Sequence, residues 1–199
     1  TQVINYVSCH DDLMLPDKLR KSMPDATDAE HQRAARLAQT IVFTSQGTPF
    51  MFAGEEIFRD KQGVHNSYQS PDSINAIDWN LKHINADQMD YYRQLIKLRK
   101  EHPAFRLTTA EQVARHLRFD KTEPGLISYS LVDNAGGDSW KEIKGILNGS
   151  TQQREVKVPR ADWTVIAEDG KINADGLSTT RGGKLTVQPT SALILARTK

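Results

Sequence analysis

Apolar and polar positions change rhythm about half-way along the chain. Up to about residue 105, short continuous apolar runs alternate with stretches at helical spacing; beyond residue 108 short alternating segments take over. Val3-Ile4-Asn5-Tyr6-Val7 reads as a strand ending in the polar cluster Cys9-His10-Asp11-Asp12. Thr27-x-x-Glu30 is a capping-box signal, after which Ala34, Leu37, Ala38, Ile41 and Val42 recur on one helical face until Gly47 and Pro49 close it. Phe50-Met51-Phe52-Ala53 predicts a second short buried strand. Asn85, with Gln88 three residues on, opens another helix lined by Met89, Tyr92, Leu95, Ile96 and Leu98. Lys97, Arg99, Lys100 and His102 suit the negative end of its dipole before Pro103 stops it.

Continuous apolar strands separated by helices predict parallel pairing with both faces covered. Two strands cannot make such a sheet, so the first half is expected to need strands from elsewhere. In the second half, strands are expected at residues 113–119, 126–132, 142–148, 154–158, 162–167, 184–187 and 192–196. Gly- and Asp-rich turns at 133–138, 148–150, 168–170 and 181–183 separate them, at the spacing of a small antiparallel β-sandwich. The boundary falls near residues 103–109.

Composition narrows the class. The chain has 199 residues, 38% hydrophobic and 26% charged, with a formal net charge of +1. This is a globular balance, without the clustered Lys/Arg surplus that nucleic acid or an anionic membrane would call for. The uncharged run at residues 37–54 contains Gln39, Thr40, Thr44, Ser45, Gln46, Gly47 and Pro49, so it is not a spanning helix. The single Cys9 excludes an intrachain disulfide and a cysteine-only zinc site. The chain opens on Thr1, and the expectation is that it is a piece of something longer.

Three clusters could carry chemistry. His10-Asp11-Asp12 follows an apolar strand, where α/β folds place their working residues, although taken alone the pair reads more readily as a loop carboxylate capping a turn. Ala53-Gly54-Glu55-Glu56 follows the second strand; its carboxylates could orient a sugar or a metal, and could equally begin a turn or pair with Arg59 or Lys61. Residues 57–80 form a long connection, which in a compact domain is more often a binding loop than slack chain. Its Asn, Gln, Ser, His and Tyr side chains suit sugar hydroxyls, and Tyr68 and Trp79 offer flat faces to a pyranose, although Trp79 reads first as core beneath the loop.

Residues 3–12, ending in His-Asp, resemble the last short conserved region of the α-amylase superfamily, glycoside hydrolase family 13, and residues 45–56 resemble the approach and eighth strand of its barrel. Residues 58–68 and 70–79 are similar to the type I pullulanase branch, and residues 92–105 resemble the last barrel helix. The resemblance implies an α+β chain: at 1–105 the closing part of a (β/α)8 TIM barrel, its last two βα units, and at 106–199 an antiparallel C-terminal β-sandwich. It implies a retaining hydrolysis of α-1,6-glucosidic bonds in pullulan, branched starch or glycogen. Asp11 would be the transition-state stabiliser, because a carboxylate opposes the developing oxocarbenium charge. His10 would donate to a hydroxyl of the same sugar, and Asn66 and Tyr68 would contact substrate. The nucleophile and general acid stand in the family at the fourth and fifth strand ends, which this chain lacks, so it is expected to be inactive alone and to self-associate through its incomplete barrel. No cofactor or metal ligand set is indicated; calcium is possible by the resemblance, but no residue cluster points to it.

Three rival readings remain at this level. An isoamylase or glycogen-debranching relative shares the His-Asp strand. A carbohydrate-binding or purely structural β-sandwich would need exposed aromatics, for which Trp140 and Trp163 are the candidates, Tyr129 reading as core. A metal-dependent phosphohydrolase fits poorly, since His31, His65, His83, His102 and His116 show no ligand spacing.

Overall fold

The structure, a computed structural model, describes residues 3–199. β1 (Ile4–Asn5) pairs in parallel with β2 (Thr48–Pro49), as the apolar runs imply, but the ladder is shorter than expected and its second strand lies earlier than Phe50–Ala53. Pro49 explains how a proline sits there: the N–H groups of Thr48 and Phe50 on either side donate to the Val3 and Asn5 carbonyls at 2.8 and 2.9 Å, so its missing N–H is not needed.

Between the two strands run α1 (Leu15–Ser22) and α2 (Asp28–Thr44). α1 was not foreseen; Pro16 at its start, Asp17 in its first turn and Arg20 and Lys21 in its last are favourable, and Leu15 and Leu19 on one face pack with Ala35 and Phe58. α2 begins with the expected capping box, the Thr27 N–H donating to Glu30 Oε2 at 2.7 Å and the Glu30 N–H to Thr27 Oγ1 at 3.3 Å. Its buried face differs from the apolar reading, because His31, Gln39 and Thr40 are buried with Ala35, Leu37, Val42 and Phe43 while Ile41 is exposed.

After β2, the loop carries α3 (Asp72–Asn75) and α4 (Leu81–Ile84) and leads into α5 (Ala86–Glu101). The expected box at the start of α5 does not form. Asn85 Nδ2 instead donates to the Ile57 carbonyl at 2.8 Å, and Gln88 Oε1 accepts from Arg36 Nε at 2.8 Å, so tertiary partners outcompete the local cap. Tyr91, Tyr92, Leu95 and Leu98 are buried, and Ile96 is exposed. At the far end, the buried Arg99 guanidinium donates to the carbonyls of Phe43, Ser45 and Gly47 at 2.8, 2.8 and 2.6 Å. It thereby satisfies the C-terminal end of α2 and holds the approach to β2.

Residues 113–119 are not one strand. Thr109 Oγ1 accepts from the Gln112 N–H at 3.2 Å and starts α6 (Ala110–His116), and β3 (Leu117–Glu123) begins only after it. There follow β4 (Leu126–Leu131), β5 (Glu142–Asn148), β6 (Arg154–Val158), β7 (Trp163–Glu168), β8 (Lys171–Ile172), β9 (Ser178–Thr180), β10 (Gly183–Val187) and β11 (Ser191–Arg197). The short β8 and β9 were not foreseen. Asp169 and Gly170, both at positive φ (50° and 72°), make the two-residue turn between β7 and β8.

One seven-stranded antiparallel sheet runs β3-β4-β5-β11-β7-β8, with β9 also on β7; β6 and β10 form a separate antiparallel ribbon. The second layer therefore differs from the simple sandwich expected. On one face of the sheet the ribbon's Val156, Val158 and Val187 pack with Leu126, Ile146, Trp163, Val165, Leu193 and Leu195. On the other, Leu37, Val42 and Phe43 of α2 and Tyr91, Leu95 and Leu98 of α5 pack with Tyr129, Leu131, Ile143, Leu147, Ile166 and Ile194. The change of rhythm near residue 105 is thus a change of element type within a continuous core. In β4 and β5, Tyr129 stands opposite Gly145, and a Cβ at Gly145 would lie 2.3 Å from the Tyr129 ring.

Asp138 joins the two kinds of element. Its carboxylate lies 2.9 Å from His102 Nδ1 and accepts from the N–H groups of Trp140 and Ala104 at 2.9 and 3.2 Å, while the Trp140 ring stacks on His102. Burial alone would push its pKa up, but the hydrogen bonds from His102, Trp140 and Ala104 outweigh this and hold it below the usual carboxylate range. A depressed carboxylate contributes stability that is present above its unfolded-state pKa and is lost as pH falls through the folded-state value. Asp138→Asn is expected to cost about 2 kcal/mol in urea unfolding at neutral pH, with the gap closing as pH falls through the depressed pKa. Equal midpoints at neutral pH would refute this role.

Candidate functional site

The chain leaves β1 through a buried Ser8 and then turns outward, so that His10, Asp11 and Asp12 are exposed at the strand's C-terminal end. His10 Nε2 lies 3.3 Å from Asp11 Oδ2. Asp12 takes up the left-handed conformation (φ 62°), and its Oδ1 meets His65 Nε2 at 2.5 Å. That contact brings the 57–80 loop to the strand end, and with it Asn66 and Tyr68. Asn66 is exposed, and Tyr68 is 78% exposed.

The loop is long but fastened. Buried Asp17 of α1 accepts from the N–H groups of Lys61 and Gly63, each at 2.8 Å. Lys61 Nζ donates to Ser67 Oγ at 2.6 Å, and Asn75 Nδ2 donates to the carbonyls of Ser67 and Ser70 at 2.6 and 2.9 Å. Burial lowers the pKa of the Lys61 ammonium, helped by the nearby Arg59 charge. At the start of the loop Gly54 sits at φ 95°, and a Cβ there would lie 2.5 Å from the Arg59 side chain, so backbone conformation and space both require glycine.

Glu55 and Glu56 begin a turn, one of the expected alternatives: Glu55–Ile57 form a single 3-10 turn entered through the left-handed Gly54. Glu55 is only 2% exposed; its Oε1 accepts from Ser8 Oγ and its Oε2 from Gln39 Nε2 at 2.8 Å. Burial pushes its pKa up to about 7 against the lowering effect of those hydrogen bonds. Glu56 Oε2 accepts from the Gly54 N–H at 3.0 Å. Neither carboxylate pairs with Arg59 or Lys61.

Trp79 is 63% exposed, not core beneath the loop as its size suggested. The aromatics that a binding sandwich would need are otherwise engaged: Trp163 is 1% exposed and Trp140 lies 3.3 Å from the His102 ring, while Tyr129 is core as expected. A hollow of about 440 Å3 between α1, α2, α3 and α4 is lined by Arg20, Asp28, Gln32, Phe58 and Arg59 among others, but not by His10, Asp11, Asn66 or Tyr68. Among the described residues no group of three or more His, Cys, Asp or Glu is placed to hold a metal ion, and no helix is long and apolar enough to cross a membrane. Three residues that matter here escaped the sequence pattern: Ser8, Asp17 and His65 act through contacts 44 to 53 positions away or within long loops, beyond the reach of any local spacing rule.

The pullulanase all-beta domain matches residues 113–171. The pullulanase of Bacillus subtilis (strain 168) is 43% identical over 159 residues, covering 80% of this chain and 22% of its own. Among solved structures, pullulanase from Bacillus acidopullulyticus superposes with a TM-score of 0.93 at 39% identity, covering 98% of this chain and 24% of that one. The type I pullulanase of Bacillus subtilis str. 168 complexed with maltose gives 0.91 at 36%, covering 100% and 28%. The chain matches a C-terminal segment of the pullulanases. It spans about a quarter of the length of these pullulanases. Within this pullulanase segment the all-beta match runs from α6 to the start of β8, so it includes β3, β4, β5 and β7 of the sheet but neither β9 and β11 nor the strand-end site.

The Asp12–His65 contact is the exposed fastening of the loop, with side chains 74% and 70% exposed, and exposed pairs contribute little to global stability. His65→Ala is therefore expected to leave the unfolding free energy within about 0.5 kcal/mol of the original while raising amide exchange across residues 64–68. Unchanged exchange in that segment would show that the contact does not hold the loop.

Proposed function

We propose that the chain is the C-terminal portion of a starch- and pullulan-debranching glycoside hydrolase that cleaves α-1,6-glucosidic linkages with retention. The observation that carries this is the His10–Asp11 pair, exposed at the C-terminal end of a strand in parallel pairing and flanked by a fastened loop of neutral hydrogen-bonding groups. The similarity to pullulanases, one of them solved with maltose, favours α-glucan as the ligand. Residues 1–105 would close a (β/α)8 barrel and residues 106–199 would be the all-β domain beside it.

In this reading Asp11 stabilises the transition state: its carboxylate accepts from sugar hydroxyls and opposes the positive charge that grows at the anomeric carbon as the glycosidic bond breaks. His10 donates to a hydroxyl of the same sugar. Asn66 contributes an amide and Tyr68 an exposed ring to a neighbouring subsite. The nucleophile and the general acid come from strands outside this chain. The purified chain is accordingly expected to release no reducing sugar from pullulan, and measurable release would overturn the division of labour. In the longer protein, Asp11→Asn is expected to lower kcat on pullulan by about 10²- to 10³-fold, read from steady-state kinetics. Preference for glycogen over pullulan in the same assay would favour the isoamylase relative.

The β1–β2 pair leaves Val3, Ile4, Tyr6 and Phe50 exposed, with the Tyr6 and Phe50 rings in contact, apolar side chains that the rest of a barrel would cover. The isolated chain covers them with a second copy. Sedimentation equilibrium is expected to show a mass that rises with concentration; a well-folded monomer at high concentration would exclude this.

A further inference from the structure

The strand end that carries His10 and Asp11 is held at two points. The outer one, Asp12 to His65, lies in water and is weak. The inner one is buried: Ser8, two residues before His10, donates its hydroxyl to Glu55, and Gln39 of α2 holds the other oxygen of the same carboxyl. Three residues of extended chain span at most about 10 Å, so a shift at Ser8 reaches Asp11 with little slack. We propose that Glu55 is a positioning residue for the His10–Asp11 strand end, acting through Ser8.

The surroundings of Glu55 define how it does so. Among the described residues no Lys, Arg or His forms an ion pair with it. Glu56 is the like charge on its own turn, and Tyr92 faces it from α5 with a buried hydroxyl that lacks a partner. Ser8 and Gln39 are neutral, and the nearby Arg59 guanidinium is engaged with the carbonyls of Ala53 and Asn75. Burial without a cation places the carboxyl near neutrality, where both protonation states are populated. Both can be held. The ionised form accepts from Ser8 and Gln39 as observed. The protonated form can donate to Gln39 Oε1, a buried acceptor without a partner, once that amide turns over. The Ser8 hydroxyl accepts or donates equally well. Glu55 thus fastens the strand end across the neutral range, by two hydrogen-bond patterns in place of one.

The role in sugar hydrolysis rests on the proposed function; the positioning itself is measurable without sugar. In the 199-residue chain, the Glu55 carboxyl carbon and the Ser8 and Cys9 amides are expected to titrate together by NMR with a midpoint of about 7, apart from the His10 ring followed through its own protons. Glu55→Gln, which has the hydrogen-bonding capacity of the protonated form, is expected to abolish that step and leave amide exchange at His10 and Asp11 as in the original. Glu55→Ala is expected to raise that exchange about tenfold. Should Glu55→Ala not fold, Ser8→Ala removes the same tie with little change in volume and carries the same expectation, with the Leu95 amide as the control for the core. Equal exchange at His10 and Asp11 in Ser8→Ala and the original, or survival of the titration step in Glu55→Gln, would falsify the proposal. Maltotriose added to the original chain separates the two ideas: no shift at His10 overturns the α-glucan reading, while the exchange comparison still decides the role of Glu55.

Discussion

β11 is buried on both of its faces, and the placement of everything else follows from that. Leu193 and Leu195 point toward the β6–β10 ribbon, Ala192, Ile194 and Ala196 toward α2 and α5. A side chain of this size contributes about 1.5–3 kcal/mol when fully buried, so one strand couples the ribbon, the sheet and the helices. The helices cannot shift without opening that core. Because α2 and α5 are set by the sheet, Arg99 can reach the three carbonyls at the end of α2, and the approach to β2 is fixed in turn. The strand end with His10 and Asp11 is the last link of this chain of contacts, two residues beyond a buried hydrogen bond.

The elements that were legible are those whose signal is local. The Thr27–Glu30 box and the Asp169–Gly170 turn are each written within four residues and form as written. β5 and β6 match their alternation to the residue. Elsewhere tertiary contacts overruled the local signal. Asn85 and Gln88 have the letters of a box but serve Ile57 and Arg36, and residues 113–116 alternate like a strand but follow a Thr109 cap into a helix. α1 spans only eight residues, and the Leu15–Leu19 pair that packs on Ala35 and Phe58 is too short a stripe to stand out in the sequence.

The candidate site was legible in part for a similar reason. His10 and Asp11 follow an apolar strand, and position alone singled them out; the loop drew attention by its length. What held these parts together was not legible. Asp17, His65 and Ser8 act across more than 40 residues, and no local pattern shows that Glu55 is buried against Gln39 of α2. Size misled at Trp79, since a large aromatic is usually core and this one stands in water.

The close pairing of Tyr129 with Gly145 bears on how such chains can diverge. With the ring occupying the space that a side chain at 145 would need, neither position is free to change by itself. A lineage that acquires a larger residue at 145 must first or simultaneously shrink the one at 129. The two sites should therefore drift as a correlated pair among relatives, although neither lies near the strand end with His10 and Asp11.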